Sequence, residues 1–217
     1  MRQDLLAGIE ADEPTRRELG PGAVLLRGRA LPVERPILAA IDAIVAKSPF
    51  RRMVTPGGFA MSVAMTNCGA AGWITDRRGY RYDPHDPLSG LPWPPMPDLF
   101  VRLATAAAAD AGFRDFVPDS CLINCYEPGA RLSLHQDRNE RDFGQPIVSV
   151  SLGLPATFQF GGPRRESRPM TVRLRHGDIA VWGGIARLSY HGILALKAGE
   201  HPVVGRRRLN LTLRKAL

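Results

Sequence analysis

Lysine is almost missing from this chain: among 29 lysine and arginine residues only Lys47, Lys197 and Lys215 are lysine. Cysteine is scarce as well. Cys68, Cys121 and Cys125 are an odd number and form no CxxC pair, which excludes a disulfide framework and a thiolate zinc site and points to reduced thiols in the cytoplasm. No uncharged apolar run approaches the roughly 18 residues of a spanning helix. Residues 1–17 carry charges at positions 2, 4, 10, 12, 13, 16 and 17 and lack the apolar segment of a secretory signal. Neither membrane insertion nor export is therefore expected.

Acids are outnumbered, 21 against 29, giving a net charge of +8 and a pI near 10.1. Such a balance favours a polyanionic partner such as nucleic acid. The preference for arginine, together with the alanine content, is also what genomic base composition would produce, so charge alone does not decide. What the chain has in quantity is punctuation. With 22 glycines and 19 prolines in 217 residues, it reads as many short strands and not as a helical bundle. Hydrophobic and charged fractions of 44% and 23% are those of a globular protein, and the length suits one domain with an arm or insertion.

Val24–Leu26 reads as a first strand, after a polar leader over 1–22. Pro32–Lys47 reads as an amphipathic helix, with Ile37, Leu38, Ile41, Ile44 and Val45 at helical spacing. Phe59–Asn67 alternates with period 2, placing Met61, Val63 and Met65 on one face of a strand. Asn67–Pro97 is the least regular stretch. Trp73, Tyr80, Tyr82 and Trp93 lie there among glycines and prolines, a pattern more typical of a functional lid than of a linker. A helix over Pro97–Ala111 follows, closed by Gly112. From Cys121 the chain predicts strand after strand: Cys121–Tyr126, Arg131–Gln136, Ile147–Gly153, Thr157–Phe160, Met170–Leu174, Asp178–Trp182 and Leu209–Arg214. Two helices and about eight strands fit a sandwich or barrel with helices on one outer face.

Two His-x-Asp pairs occur, His135-Gln-Asp137 and His176-Gly-Asp178. On a strand, residues i and i+2 share a side, so His135 and Asp137 can offer nitrogen and oxygen to one ion. His176 and Asp178 flank a glycine that introduces the next apolar strand, and a turn there would make their side chains diverge. The geometry favours the first pair. A third ligand is available in Ser189-Tyr-His191-Gly192, completing two histidines and one carboxylate, the facial arrangement of non-haem Fe(II) sites; each histidine is equally compatible with a structural role. The strand Arg208-Leu-Asn210-Leu-Thr212-Leu-Arg214 puts its polar residues on one face. If that face looks into a barrel mouth, two guanidinium forks suit a dicarboxylate.

Longer segments carry a resemblance. Ser48-Pro-Phe, Met53-Val-Thr-Pro-Gly-Gly, Met61-Ser-Val-Ala-Met-Thr-Asn-Cys-Gly69, Leu132-Ser-Leu-His-Gln-Asp137, Ile147-Val-Ser-Val-Ser-Leu-Gly-Leu-Pro155, Phe158-Gln-Phe-Gly-Gly162 and His176-Gly-Asp are all similar to the bacterial AlkB-type nucleic-acid dealkylases. The resemblance runs from about Gly22 to Arg214. It implies a mainly β fold with flanking helices (α+β), a double-stranded β-helix or jelly-roll core with an N-terminal nucleotide-recognition lid. On that reading the chain divides into the leader, 1–22, and a single oxygenase domain, 23–217, with the lid at about 51–97 and the core at about 116–214.

The resemblance also implies a ligand set and a reaction. His135, Asp137 and His191 would hold Fe(II), Arg208 and Arg214 would clamp 2-oxoglutarate, and Asn124, Tyr126 and Asn210 would hydrogen-bond that cosubstrate. Thr55, Met65, Trp73, Tyr80 and Arg165 match positions near the nucleotide. Trp73 is the residue expected to stack on a flipped, methylated base, and Arg51, Arg52, Arg77, Arg78 and Arg81 would steer phosphates. The implied reaction uses O2 to demethylate 1-methyladenine or 3-methylcytosine in single-stranded DNA, with RNA and base-flipped duplex as further substrates, releasing formaldehyde, succinate and CO2 from a monomeric enzyme.

One position departs from the family. Where its best-known bacterial member has a second aspartate, this chain reads His135-Gln-Asp137-Arg-Asn139-Glu140. Asn139 accepts a hydrogen bond but brings no negative charge, so weaker discrimination between cationic lesions and neutral ones such as 1-methylguanine or 3-methylthymine is expected. Two rival readings stand beside this one: an oxygenase of the same fold and cofactors acting on a protein or small molecule, and a non-enzymatic jelly roll that binds single strands.

Overall fold

The computed structural model describes residues 15–217; most of the expected polar leader lies outside the described residues. In chain order the elements are β1 (Arg16–Gly20), β2 (Ala23–Leu26), α1 (Glu34–Lys47), β3 (Ala64–Gly69), β4 (Gly72–Asp76), β5 (Gly79–Asp83) and α2 (Asp98–Asp110). Eight strands follow: β6 (Ser120–Tyr126), β7 (Leu132–His135), β8 (Ile147–Gly153), β9 (Ala156–Phe160), β10 (Met170–Leu174), β11 (Ile179–Trp182), β12 (His191–Ile193) and β13 (Arg208–Arg214).

Two antiparallel sheets carry the fold. The larger has the order β1-β2-β11-β8-β13-β6-β3 and the smaller β10-β9-β12-β7, together a jelly roll. Strand alternation gives each sheet two faces, and the larger one buries both. On β13, Leu209, Leu211 and Leu213 join Val148, Val150, Leu152, Ile179 and Val181 in a cluster with Ile37, Ile41 and Ile44 of α1 and Phe100, Leu103, Ala104, Ala107 and Ala108 of α2. Those helix residues recur at three- and four-residue spacing, so each helix lays one apolar stripe on the outer face of the sheet. Between the sheets a second cluster gathers Leu25, Ile147, Phe158, Phe160, Val172, Leu174, Trp182 and Ile193. The alternate residues of β13, namely Arg208, Asn210, Thr212 and Arg214, point into this inter-sheet space and are buried. The period-2 pattern predicts one shared face for this polar row, and the structure turns that face inward.

Three local expectations need correction. Residues 16–20, read as leader, form an edge strand that pairs with β2, Arg16 opposite Leu26; pairing at a sheet edge asks little of the side chains, so no apolar run marks it. The expected strand Phe59–Asn67 begins only at Ala64: of the residues before it, Ala60 makes an isolated bridge to Val54, while Met65 within the strand bridges Arg51. The stretch after Asn67, read as lacking regular pattern, contains a two-stranded hairpin, β4 paired with β5 and Trp73 opposite Tyr82. Its alternation is short and surrounded by glycine and proline, and its turn at Arg77-Arg78 is held by the Arg78 N–H donating to Asp76 Oδ1 at 2.8 Å. Among the described residues no helix is long and apolar enough to cross a membrane, and Cys68, Cys121 and Cys125 are free thiols.

Candidate active site

His135 is the last residue of β7 and His191 the first of β12, and these neighbouring strands pair the two directly. The rings lie 4.4 Å apart between centroids. Gly192 permits this approach: a Cβ there would sit 2.7 Å from the Leu132 carbonyl oxygen. Asp137 follows just past the end of β7 and still turns its carboxylate to the same side. Its Oδ1 lies 3.7 Å from His135 Nε2 and its Oδ2 3.7 Å from His191 Nε2. One donor atom from each of the three lies within 4.8 Å of the others.

Hydrogen bonds fix the tautomers. His135 Nδ1 meets the Ser133 carbonyl at 2.8 Å and His191 Nδ1 the Ser189 carbonyl at 2.9 Å, so each Nδ1 carries the proton and each Nε2 lone pair faces the carboxylate. Burial, and then the charge on His135, push the His191 imidazole down to about 4, keeping it in the neutral form that binds metals. Burial alone would raise the Asp137 carboxyl; Arg214 and the two histidines outweigh it and hold it well below the usual carboxylate range. Two imidazoles with Nε2 atoms free, converging with an ionised carboxylate, fit a divalent metal such as Fe(II).

The other pair behaves as its glycine suggests. Gly177 takes φ +83°, the turn it makes separates the side chains, and His176 and Asp178 go different ways. His176 Nδ1 accepts the Gly153 N–H at 2.8 Å, and its Nε2 meets Glu34 Oε2 at 2.5 Å. Asp178 binds Arg27 at 2.6 Å and accepts the Gly28 and Arg175 N–H groups.

The polar row of β13 lies beside the triad. Arg208 is 1% exposed, donates to Ser151 Oγ at 3.0 Å, and its guanidinium carbon lies 5.0 Å from the Tyr126 ring centroid. Its Nε and Nη1 are buried without a hydrogen-bond partner. Orphaned donors on a buried cation are costly, and a carboxylate oxygen is the group that would satisfy them. Asn124, opposite Asn210 in the β6–β13 register, donates to Asn210 Oδ1 at 3.3 Å and keeps an unpartnered Oδ1 of its own. Arg214 binds Asp137 Oδ2 through Nη2 at 2.8 Å and Nε at 3.1 Å. The expected cosubstrate residues are thus gathered on one inner face.

The lid residues are divided. Trp73 and Tyr80 stack at 5.6 Å, and the Trp73 indole N–H donates to Asn139 Oδ1 at 3.1 Å. Met65 is buried in the inter-sheet core. Thr55 and Arg165 make their contacts elsewhere: the Thr55 hydroxyl accepts the Phe59 N–H, and Arg165 lies 5.8 Å from the ring centroid of Tyr190. Four of the arginines expected to steer phosphates are engaged by neighbouring acids. Arg51 pairs with Asp86 and covers Trp93, Arg52 pairs with Glu127, and Arg78 and Arg81 pair with Asp76.

Sequence reasoning placed Tyr82 in the lid without giving it a role, and missed Arg187 and the burial of Glu140. Glu140 Oε1 accepts the Tyr82 hydroxyl at 2.6 Å, Arg187 Nη2 lies 3.1 Å from Oε2, and Arg187 Nη1 donates to the Asp137 carbonyl at 2.7 Å. No local pattern marks these residues, because they meet across 58 and 47 positions of chain.

Comparison with known proteins follows the same lines. Residues 22–214 match the 2OG-Fe(II) oxygenase superfamily. The protein called alpha-ketoglutarate-dependent dioxygenase AlkB in Salmonella typhimurium is 57% identical over 207 residues, covering 95% of this chain and 96% of that one. Its namesake in Escherichia coli is 55% identical, covering 94% of each. A solved structure described as "The structure of OsALKBH1" superposes with a TM-score of 0.81 at 28% identity, covering 92% of this chain and 99% of that one.

Proposed function

The chain belongs to the 2OG-Fe(II) oxygenase superfamily, and from that premise we propose that it repairs N-alkylated bases such as 1-methyladenine and 3-methylcytosine by oxidative demethylation. It is an AlkB-type Fe(II)- and 2-oxoglutarate-dependent dioxygenase, and its reaction class is oxidative dealkylation of nucleic acids. The observation that carries the finer reading is the convergence of His135, Asp137 and His191 from two paired strands, next to a buried arginine with free donors.

Fe(II) with 2-oxoglutarate and O2 supplies the oxidising chemistry: the cosubstrate loses CO2 to become succinate, and one oxygen atom enters a C–H bond of the N-methyl group. The resulting N-hydroxymethyl base sheds formaldehyde. The protein's part is to hold and to aim. His135 Nε2, His191 Nε2 and an Asp137 oxygen would take three positions on the metal, leaving others open. Arg208, supported by Ser151 and Tyr126, would receive one carboxylate of 2-oxoglutarate in its fork; Arg214, Asn124 and Asn210 would orient the rest. Trp73, already stacked on Tyr80, offers an indole face to a flipped base, and methylation that makes the base cationic strengthens that contact. Single strands spare the unstacking cost and are the preferred substrate. Every side chain given a role here comes from one chain, which works as a monomer, and its free thiols fit the reducing cytoplasm.

Asn139 tunes the choice of lesion. Its amide oxygen already accepts the Trp73 N–H and carries no net charge, so a cationic base gains little there. The discrimination between cationic lesions and neutral 1-methylguanine or 3-methylthymine is accordingly weak. Both readings are tested on short single-stranded oligonucleotides incubated with Fe(II), 2-oxoglutarate and air and followed by mass spectrometry. Loss of the methyl group only in the complete mixture is expected. Asn139→Asp should shift the efficiency ratio towards the cationic lesions, and an unchanged ratio contradicts the role given to Asn139.

A further inference from the structure

Beneath the metal-facing surface lies a buried cluster of four charges, two of which, Glu140 and Arg187, the reaction as described does not use. Asp137 and Glu140 supply two carboxylates, Arg187 and Arg214 two guanidinium groups. Glu140 is the hub: its side chain is 1% exposed, with Arg187 Nη2 at 3.1 Å and Arg214 Nε at 3.4 Å. The two arginines then grip Asp137 from both ends, Arg214 at the carboxylate and Arg187 at the backbone carbonyl. Buried ions tolerate little misplacement, because each depends on its partners for the solvation it has lost.

One neutral group enters this cluster from outside the two large sheets. Tyr82, on β5 of the hairpin, donates its hydroxyl to Glu140 Oε1 at 2.6 Å and lies 3.4 Å from Arg214 Nη1. Its partner across the hairpin is Trp73. The hairpin that presents the indole therefore touches the metal-facing segment 137–140 twice, through Trp73 to Asn139 and through Tyr82 to Glu140. Any shift of the hairpin on seating a base moves the Tyr82 hydroxyl against the carboxylate that steadies Arg214.

We propose that Tyr82 is a positioning residue: through Glu140 and Arg214 it links the seating of the base-binding hairpin to the orientation of Asp137 and of the cosubstrate clamp. The inference rests on the assignment of His135, Asp137 and His191 to the metal and of Arg214 to 2-oxoglutarate. Linkage of this kind is reciprocal: cosubstrate at Arg214 changes the surroundings of Tyr82, and a base on the hairpin changes the surroundings of Arg214. Its functional consequence is coupling, so that 2-oxoglutarate is consumed when a base is in place.

Tyr82→Phe removes one hydroxyl and keeps the ring. In the holoenzyme, the number of bases repaired per succinate should fall by about ten- to a hundredfold, the size of one charge-assisted hydrogen bond, while the 2-oxoglutarate concentration for half-saturation changes by less than about twofold. Under anaerobic conditions the visible absorption band of the Fe(II) and 2-oxoglutarate complex should still form, and its change on adding a 1-methyladenine oligonucleotide should be lost. An unaltered ratio together with an unaltered spectral response overturns the proposal. A second probe does not depend on the variant folding: fluorotyrosine incorporated at position 82 of the zinc-loaded protein should shift its fluorine resonance when 2-oxoglutarate is added and again with the oligonucleotide, and no shift with either is contrary to the proposal. Repair by the native protein in the same assay checks the underlying functional reading separately.

Discussion

The two His-x-Asp pairs are the same motif with opposite fates. In the first, the histidine ends a strand, a neighbouring strand brings His191 beside it in register, and the carboxylate closes a three-donor cluster. In the second, Gly177 adopts φ +83°, the side chains separate, and each is consumed by structure: His176 by Glu34 and Gly153, Asp178 by Arg27 and two backbone N–H groups. The motif alone therefore does not make a site. What decides is whether the backbone sends both side chains to one face, and whether a third donor from elsewhere arrives with its lone pair free.

The comparison breaks most sharply at the carboxylates. Asp137→Ala should abolish demethylation and iron retention, with a loss beyond the roughly 10–100-fold seen when only an outer partner of a metal ligand is removed. Asp178→Ala should keep iron stoichiometry and turnover, and instead lose about 3–5 kcal/mol of stability, because it breaks a buried ion pair with Arg27 whose side chains are 11% and 3% exposed. Thermal melts and metal analysis on the two variants side by side check both statements. Equal iron loss in both variants would erase the distinction.

A smaller effect is expected beside the first pair. Arg208→Lys retains charge but not the fork, and should raise the half-saturating 2-oxoglutarate concentration by about ten- to a hundredfold; succinate formation against cosubstrate concentration reads it. The smallest effect belongs to the second pair. His201 stacks on His176 at 4.2 Å, with Glu34 against the other ring. Burial and the neighbouring His176 lower the His201 imidazole below its ordinary value. The unfolded chain therefore takes up that proton near pH 6.5 while the fold resists it, so this stabilising contribution is present above about 6.5 and is lost as pH falls below it. His201→Gln should flatten the acid-side fall of the melting temperature by about 1–2 °C, since the group is partly exposed. An identical pH profile would remove His201 from the account.

These contrasts also show what the sequence could reveal. Alternation along Arg208–Arg214 was enough to place four polar side chains on one face, and the structure puts that face inside. Gly177 was enough to separate His176 from Asp178. The convergence of His191 on His135 was available only as a candidate, because antiparallel register between strands 56 residues apart is set by the whole sheet. The hairpin β4–β5 escaped notice because its period-2 runs are five residues each, flanked by glycine and proline. Glu140, Arg187 and Tyr82 form a network only after folding, so no spacing announces it.

The most direct test of the central claim is the position of the metal itself. Crystals grown anaerobically with manganese and 2-oxoglutarate, measured for anomalous scattering, should show one strong peak among His135 Nε2, Asp137 and His191 Nε2, with none at His176 and Asp178. A peak at the second pair, or none at the first with the protein folded and the metal in excess, would contradict the account.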